Sequence, residues 1–275
     1  MSTPYPPPVA RLLELGEDSV TSTWMDYREL GLGPEHVPDL IRVATDERLN
    51  DLDSEEAQTW APPHAWRALG QLRAVEAVEP LLELADRLED GIFTGPELAT
   101  VFGMIGRGAI PPLSRVLADD GRSPGLYVLA IRGLDEIVEN DPSTEEEVVP
   151  LLLGRLEKWE RNDDEVNAYL VDALTELGVV EAAPLMEQAF AAGAVDLLMR
   201  GDWEDVQEDL GLIKERPERG GGLRGSFQAM REALDDDDLG PAPGPAPRPS
   251  SPDAKAKKNK RKQQKESRKR NRRRK

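Results

Sequence analysis

A proline–leucine pair recurs along the chain at nearly regular intervals. The pairs begin at Pro80, Pro112, Pro150 and Pro184, so the successive intervals are 32, 38 and 34 residues. Apolar residues at helical spacing follow each proline, and a second apolar segment precedes it. A period of this length is typical of stacked two-helix units, because one helical hairpin cannot bury both of its apolar faces alone.

Glycine and proline predict where the helices of each unit end and begin. Gly106 and Gly178 end the first helix of their units, since glycine readily adopts the left-handed conformation of a C-cap. The prolines fall in the first turn of the second helix, where the missing N–H has no helical partner. No sustained alternation of β-branched residues indicates a strand. We therefore predict an all-α fold, namely a right-handed α-solenoid of two-helix repeats.

Several segments carry a family resemblance. The chain contains WRALGQLRAVEAVEPLLELA, GMIGRGAIPPLSRVLAD and DALTELGVVEAAPLMEQAF, which resemble HEAT repeats of the short bacterial class found in phycobilisome lyases. It also contains RLLELGE, APPHAWRALGQL and GDWEDVQEDLGL, which resemble a group of bacterial HEAT proteins that often end in a SecA-type zinc motif. That motif is rich in cysteine, and this chain has none. The resemblance therefore implies a fold, but no metal and no particular activity.

The net charge of -18 is the sum of two oppositely charged regions. Residues 255–275 contain 14 Lys/Arg and one Glu, and therefore carry a charge of +13. The preceding 254 residues contain 52 acidic and 21 basic residues, and therefore carry a charge of -31. Between the two regions, residues 241–252 contain six prolines and no apolar side chain larger than alanine. Such a segment buries too little surface to offset its ordering entropy.

These patterns divide the chain into five segments. We predict N-terminal capping helices in 1–55, HEAT-like repeats in 56–200, C-terminal cap helices in 201–235, an acidic and proline-rich linker in 236–254 and a disordered Lys/Arg tail in 255–275. Cap residues are expected because a terminal repeat otherwise exposes an apolar face. They are Trp24, Tyr27, Leu30, Val37, Leu40, Ile41 and Ala44 at one end, and Trp203, Val206, Leu210 and Leu212 at the other.

The tail is the strongest functional signal. Its cations favour a polyanion through counterion release, and the lack of aromatic residues in it predicts binding without sequence preference. RNA, including ribosomal RNA, DNA, the acidic body of the same chain and an anionic membrane surface all remain open as targets. The predicted binding residues are Lys255, Lys257, Lys258, Lys260, Arg261, Lys262, Lys265, Arg268, Lys269, Arg270, Arg272, Arg273, Arg274 and Lys275.

The second helices of the units predict a surface for a protein partner, because this face of a HEAT solenoid usually lines its concave side. The mixture of charges there leans acidic, which disfavours a nucleic-acid duplex and favours a basic protein. Solvation alone is the alternative explanation of these charges. The residues of this predicted protein-binding face are Glu83, Arg87, Arg115, Arg155, Lys158 and Glu187.

Candidate catalytic and metal-binding residues are sparse. His36 and His64 lack the spacing of a metal site, and we interpret both as loop or helix-start residues. The frequent carboxylate pairs are interpreted as solvated loop or helix-start residues, with Thr144 and Glu147 forming a capping box. The absence of cysteine excludes disulfides and thiol catalysis. We predict no catalytic residue, no metal and no cofactor.

Together these observations predict a non-enzymatic scaffold or adaptor, whose acidic solenoid binds an unknown protein and whose tail contacts RNA or another polyanion. The resemblance leaves an alternative open, namely an enzyme or enzyme accessory like the phycobilin lyases, with a deep apolar pocket for a small ligand. No apolar run approaches the ~18 residues of a membrane span. The first residues lack the basic start of a secretory signal, so we expect a cytoplasmic protein.

Overall fold

The computed structural model describes residues 5–16, 24–51, 56–88 and 94–214. These residues form twelve α-helices and nine short 3₁₀-helices, and they contain no β-strand. The predicted all-α fold is therefore confirmed for this part of the chain. All of it lies in the first of the two units into which the chain divides, Met1–Gln228.

Short connections join the helices. In chain order the helices are α1 (Val37–Ala44), α2 (Glu47–Asn50), α3 (Ala61–Gln71), α4 (Val78–Arg87), α5 (Thr94–Ile105), α6 (Ile110–Ala118), α7 (Pro124–Asn140), α8 (Glu145–Leu156), α9 (Asp164–Glu176), α10 (Ala183–Ala191), α11 (Leu197–Arg200) and α12 (Trp203–Asp209). The 3₁₀-helices are Val9–Glu14, Tyr27–Leu30, Pro34–His36, Ala57–Trp60, Val75–Ala77, Gly106–Ala109, Pro142–Thr144, Trp159–Arg161 and Val180–Ala182. The predicted linker 236–254 and tail 255–275 lie outside the described residues, as does 215–235 of the predicted C-terminal cap.

Eight of the α-helices form four consecutive pairs, each joined through one 3₁₀-helix. The pairs are α3–α4, α5–α6, α7–α8 and α9–α10. Gly106 and Gly178 follow α5 and α9 with φ angles of 79° and 65°, so the predicted glycine caps are confirmed. Arg73 takes the same left-handed conformation after α3, with a φ of 52°, although it carries a Cβ.

The sequence predicted that all four prolines of the proline–leucine pairs lie in the first turn of a helix, and the structure differs at one of them. Pro80 and Pro112 are the third residues of α4 and α6, and Pro184 is the second residue of α10. Pro150, in contrast, is the sixth residue of α8, so the prediction is wrong at this position. Three glutamates at 145–147 extend α8 toward its N-terminus, where the helix dipole favours negative charge.

The predicted capping box at the start of α8 is also wrong. The side chain of Thr144 does not cap α8, and its hydroxyl instead donates to the carbonyl oxygen of Asp141 at 2.8 Å. The carboxylate of Glu147 accepts a hydrogen bond from Arg107 at 3.1 Å rather than turning back toward the helix start. The sequence pattern correctly predicted a helix N-terminus. The hydrogen bonds of Thr144 and Glu147, however, are formed with Asp141 and Arg107 rather than with the first turn of α8.

The first helices of the pairs pack against one another in order along the chain. α3 contacts α5, α5 contacts α7 and α7 contacts α9, while α6 contacts α8. α1 packs on α3 and α11 packs on α9. Gly103 brings α5 close to α7, because a Cβ added there would lie 2.7 Å from the Cβ of Glu136. The buried faces form one hydrophobic core that includes Leu69, Phe102 and Leu134.

Most of the predicted cap residues are buried or packed on this core. Tyr27, Leu40 and Val206 are fully buried, and Trp203 packs on Phe190 with 5.7 Å between ring centroids. Leu212 is 43% exposed, so it does not serve as a cap residue. Within the described ranges, no helix combines the length and the apolar character needed to cross a bilayer.

Candidate functional site

An open groove of about 580 Å³ lies between α4 and α6. Helix α4 contributes one wall and α6 the opposite one, and the groove is completed by Thr45 after α1 and by Leu126 in α7. The remaining lining residues are Glu79, Pro80, Leu82, Glu83, Asp86, Arg87, Pro112, Arg115, Val116 and Arg122. Six of the twelve are charged, so the groove differs from the deep apolar pocket that a phycobilin-type ligand would need.

The helical repeat of α4 places three of its acidic residues on the face that lines the groove. Glu79, Glu83 and Asp86 follow one another at intervals of four and three residues, so they share one face of the helix. Leu82 and Val116 are buried beneath this charged rim. The groove therefore has an apolar floor and a charged edge, which is the usual arrangement of a surface that binds another chain.

Ion pairs connect the two walls of the groove. Arg115 of α6 pairs with Glu79 of α4, and Arg122 lies 3.7 Å from Asp86. Arg87 pairs with Glu47 of α2 at 3.0 Å. All these side chains are at least partly exposed, so each pair contributes little to stability, on the order of 0 to 1 kcal/mol. Their main effect is to neutralise the charges of the rim locally.

Glu83 is the exception on this rim. Its side chain is exposed, and none of the described residues forms a hydrogen bond or ion pair with it. It lies on α4 between Glu79 and Asp86, both of which have a cationic partner across the groove. Glu83 is thus the acid of the groove that forms no ion pair with any described residue.

The structure brings together only part of the predicted protein-binding face. Glu83, Arg87 and Arg115 line the groove. Lys158 lies apart from it and pairs with Asp120 at 2.5 Å. Glu187 is an exposed residue of α10 and is not among the residues of the groove.

Arg155 is not on an exposed face at all, which corrects the sequence-based prediction. It is 3% exposed, and its guanidinium stacks on the ring of Tyr127 with 3.8 Å to the centroid. The guanidinium also contacts Asp120 at 3.2 Å. The hydrogen bond from Lys158, and then the charges of Lys158 and Arg155, lower the pKa of Asp120. The cation is drawn inward by the aromatic ring of Tyr127 and the carboxylate of Asp120, which come from preceding elements.

A second cluster consists of carboxylates on α7 and α9. Asp135, Glu139 and Glu176 each place one carboxylate oxygen within 4.8 Å of the others. Burial is the main cause that raises the pKa of Asp135 to about 7, and the charges of Glu176 and Glu139 add to it. Three such oxygens are the ligand type that Mg²⁺ or Ca²⁺ prefers, although exposed acidic groups often lie together without a metal.

The sequence interpretation missed this cluster because it treated acidic residues as solvated loop or helix-start groups. A signal was present in the spacing. Asp135 and Glu139 are four residues apart on α7, as are Asp172 and Glu176 on α9. Asp172 contacts Arg200 at 3.3 Å, so part of the negative charge is compensated.

The two histidines occupy different environments. His36 ends a 3₁₀-helix, and its Nδ1 accepts a hydrogen bond from the backbone N–H of Gly33 at 3.0 Å, in the predicted loop setting. His64 is the fourth residue of α3, in the predicted helix-start setting, and it is 1% exposed, so it is also part of the core. Its Nε2–H donates to the carbonyl of Gly16 at 2.9 Å, and the Tyr27 hydroxyl donates to its Nδ1 at 2.6 Å.

Comparison of the chain with protein-family models, curated proteins and solved structures finds no match.

Proposed function

We propose that the protein is a non-enzymatic adaptor, in which an acidic HEAT-like body binds a protein partner and the basic tail contacts RNA or another polyanion. The observation that carries the proposal is the division of charge, -31 over residues 1–254 and +13 over residues 255–275. A charge of magnitude ~2–8 is enough to keep a small domain soluble. Such separated charges favour partners of opposite sign, at higher rates of encounter.

The arrangement of helix pairs supports a right-handed HEAT-like solenoid as the body of this adaptor. Ion pairs join residues of neighbouring units at nearly constant separation in sequence. Arg115 and Glu79 are 36 residues apart, Arg107 and Glu147 are 40 apart, and Lys158 and Asp120 are 38 apart. A contact that recurs at about one repeat length is expected when each unit packs mainly on its neighbours.

The groove between α4 and α6 supports a protein as the partner of the body. Its floor is apolar, its rim is charged, and it is open to solvent. A binding site for a small apolar ligand would instead be enclosed and mostly apolar. The proposed activity belongs in the cytoplasm, where RNA and RNA-associated proteins are abundant.

The RNA half of the proposal is tested by the salt dependence of binding to a fluorescent 20-nucleotide oligouridylate. The intact chain is compared with a chain ending at Asp253. If the tail neutralises about 8–10 phosphates of single-stranded RNA, the log–log slope is about -6 to -7. The truncated chain is expected to bind at least tenfold more weakly. Equal binding by both chains, or no binding by either at ~100 mM salt, contradicts this half.

The protein half is tested by a pull-down of the same two chains from nuclease-treated and from untreated lysate. A protein that follows both chains after nuclease treatment supports a partner of the body. Recovery of proteins only with the intact chain, and only without nuclease, contradicts it, because those proteins are then carried by nucleic acid.

A further inference from the structure

Two ion pairs bridge the walls of the groove and leave a gap between them. Arg115–Glu79 lies toward the N-terminal end of α4, and Arg122–Asp86 lies toward its C-terminal end. Glu83 lies between these pairs on the same face of α4 and has no partner among the described residues. The groove therefore has a cation opposite the first and last acids of this face, and none opposite the middle one.

The register of the units explains why the middle position lacks a cation. Glu79 and Asp86 each pair with the arginine 36 residues later in the chain, at 115 and 122. The residue 36 positions after Glu83 is Asp119, an acid. A hydrogen bond from the backbone of Gly121, followed by one from Arg122, lowers the pKa of Asp119 and keeps it charged at neutral pH. The fold thus places an acid in the register where the pattern would supply a cation.

We propose that this gap binds a lysine or arginine side chain from an extended segment of the protein partner, with Glu83 as its counter-ion. The inference rests on the proposed function and specifies the chemistry of the partner. The cation enters between the two bridging ion pairs, and its neighbours in the segment lie on Leu82, Val116 and Leu126. A cation completes the charge pattern of the rim without breaking either existing pair.

The shape of the groove fits this occupant. A groove of about 580 Å³ has room for several side chains of an extended segment. Pro80 and Pro112 lie on opposite walls and add rigid apolar surface beside the cation. The aliphatic stem of lysine or arginine suits such a floor, because it packs on apolar surface while the charged head stays at the wet rim.

The test is a selection of displayed random heptapeptides on the intact protein at 150 mM salt. The same selection is run on Glu83→Gln, on Glu83→Lys and on Glu76→Gln as a matched control. Glu76 is an exposed acid of the 3₁₀-helix before α4, so its replacement changes the net charge equally without touching the groove. The parent protein and the Glu76→Gln control are expected to select peptides with one strongly enriched Lys or Arg flanked by apolar residues. Glu83→Gln is expected not to select them. Glu83→Lys is expected to select Asp or Glu at the same position.

The affinity of a selected peptide gives the magnitude. Glu83→Gln is expected to weaken it by about fivefold, since a partly exposed ion pair contributes up to ~1 kcal/mol. Replacing the peptide cation with Glu is expected to restore binding to Glu83→Lys. Peptides without a fixed cation, equal loss in both glutamine variants, or no enriched peptide would each overturn the assignment. The proposed function is judged separately, because the RNA titration and the pull-down compare two chains that both retain Glu83.

Discussion

The guanidinium of Arg155 lies 3.8 Å from the centre of the Tyr127 ring, and both side chains are buried. The same guanidinium contacts Asp120, and the Tyr127 hydroxyl donates to the backbone carbonyl of Asp119. A single arginine of α8 therefore connects an aromatic residue of α7 with the turn that follows α6. This contact joins three consecutive helices of the body.

Replacement of Arg155 by alanine is expected to lower the free energy of unfolding by about 2 kcal/mol, since it removes a buried guanidinium from the face of the Tyr127 ring and the packing of its aliphatic stem. Urea denaturation followed by circular dichroism measures this change. Arg161→Ala is the matched control, because Arg161 faces the same Asp120 at 3.6 Å but its side chain is 74% exposed. The control is expected to change stability by less than about 0.5 kcal/mol. Similar losses in both variants would contradict a special role for the buried stack.

Replacement of two helical glycines by alanine is expected to change the free energy of unfolding in opposite directions. A Cβ at Gly103 would lie 2.7 Å from the Cβ of Glu136 on the neighbouring helix, whereas a Cβ at Gly154 in α8 meets nothing within 4 Å. Gly103→Ala is expected to destabilise the protein by about 1–3 kcal/mol through overpacking. Gly154→Ala is expected to stabilise it by up to about 1 kcal/mol, because alanine has the higher helix propensity. The same denaturation experiment checks both, and equal effects would contradict the close approach of α5 and α7.

Arg73 and Gly178 offer a second reciprocal test at the ends of α3 and α9. In both places the left-handed residue donates to the carbonyl three residues earlier, and the following N–H donates to the carbonyl five residues before it. Arg73→Gly is expected to raise stability by about 0.5 kcal/mol, because glycine adopts positive φ without strain. Gly178→Ala is expected to lower it by about 1 kcal/mol for the same reason. A loss on Arg73→Gly would mean that the arginine side chain stabilises the turn.

The features that were predicted from sequence are the local ones. Three such features predicted the helix pairs correctly, and each acts within a few residues. They are the helical spacing of apolar residues, the glycine caps at 106 and 178, and the proline–leucine pairs. The burial of Arg155 and the isolation of Glu83 depend on residues 28 to 36 positions away in the chain. Such contacts are set by how neighbouring units pack, so the charge of a residue alone did not reveal whether it is exposed, buried or paired.

The length of the repeat also predicts contacts between neighbouring units. Once a repeat of 32–38 residues is established, opposite charges at that separation are candidates for contacts between units. Glu79 and Arg115 satisfy this condition, and Asp120 and Lys158 do so as well. Asp135 and Glu176 also lie close together at a similar separation in sequence, 41 residues, but both are acids and therefore do not form an ion pair.

The carboxyl group of Asp135 predicts a dependence of stability on pH. Burial first, and then the charges of Glu176 and Glu139, raise its pKa in the folded protein from 3.8 to about 7. The folded state therefore holds the proton more tightly than the unfolded state does. This contribution to stability is fully present below about pH 4 and is lost as pH rises through about 7.

Asp135→Asn removes that charge and keeps the shape of the side chain. It is expected to raise the free energy of unfolding by roughly 1–3 kcal/mol at pH 8 and to change it little at pH 4. Urea denaturation at intervals between pH 4 and 8 measures the difference, and Glu187→Gln on the exposed face of α10 serves as the control. The control is expected to give a nearly parallel curve to the parent. If Asp135→Asn were less stable than the parent at pH 8, the carboxylate would have to be a stabilising anion with a cationic partner, which is the opposite of what its acidic neighbours imply.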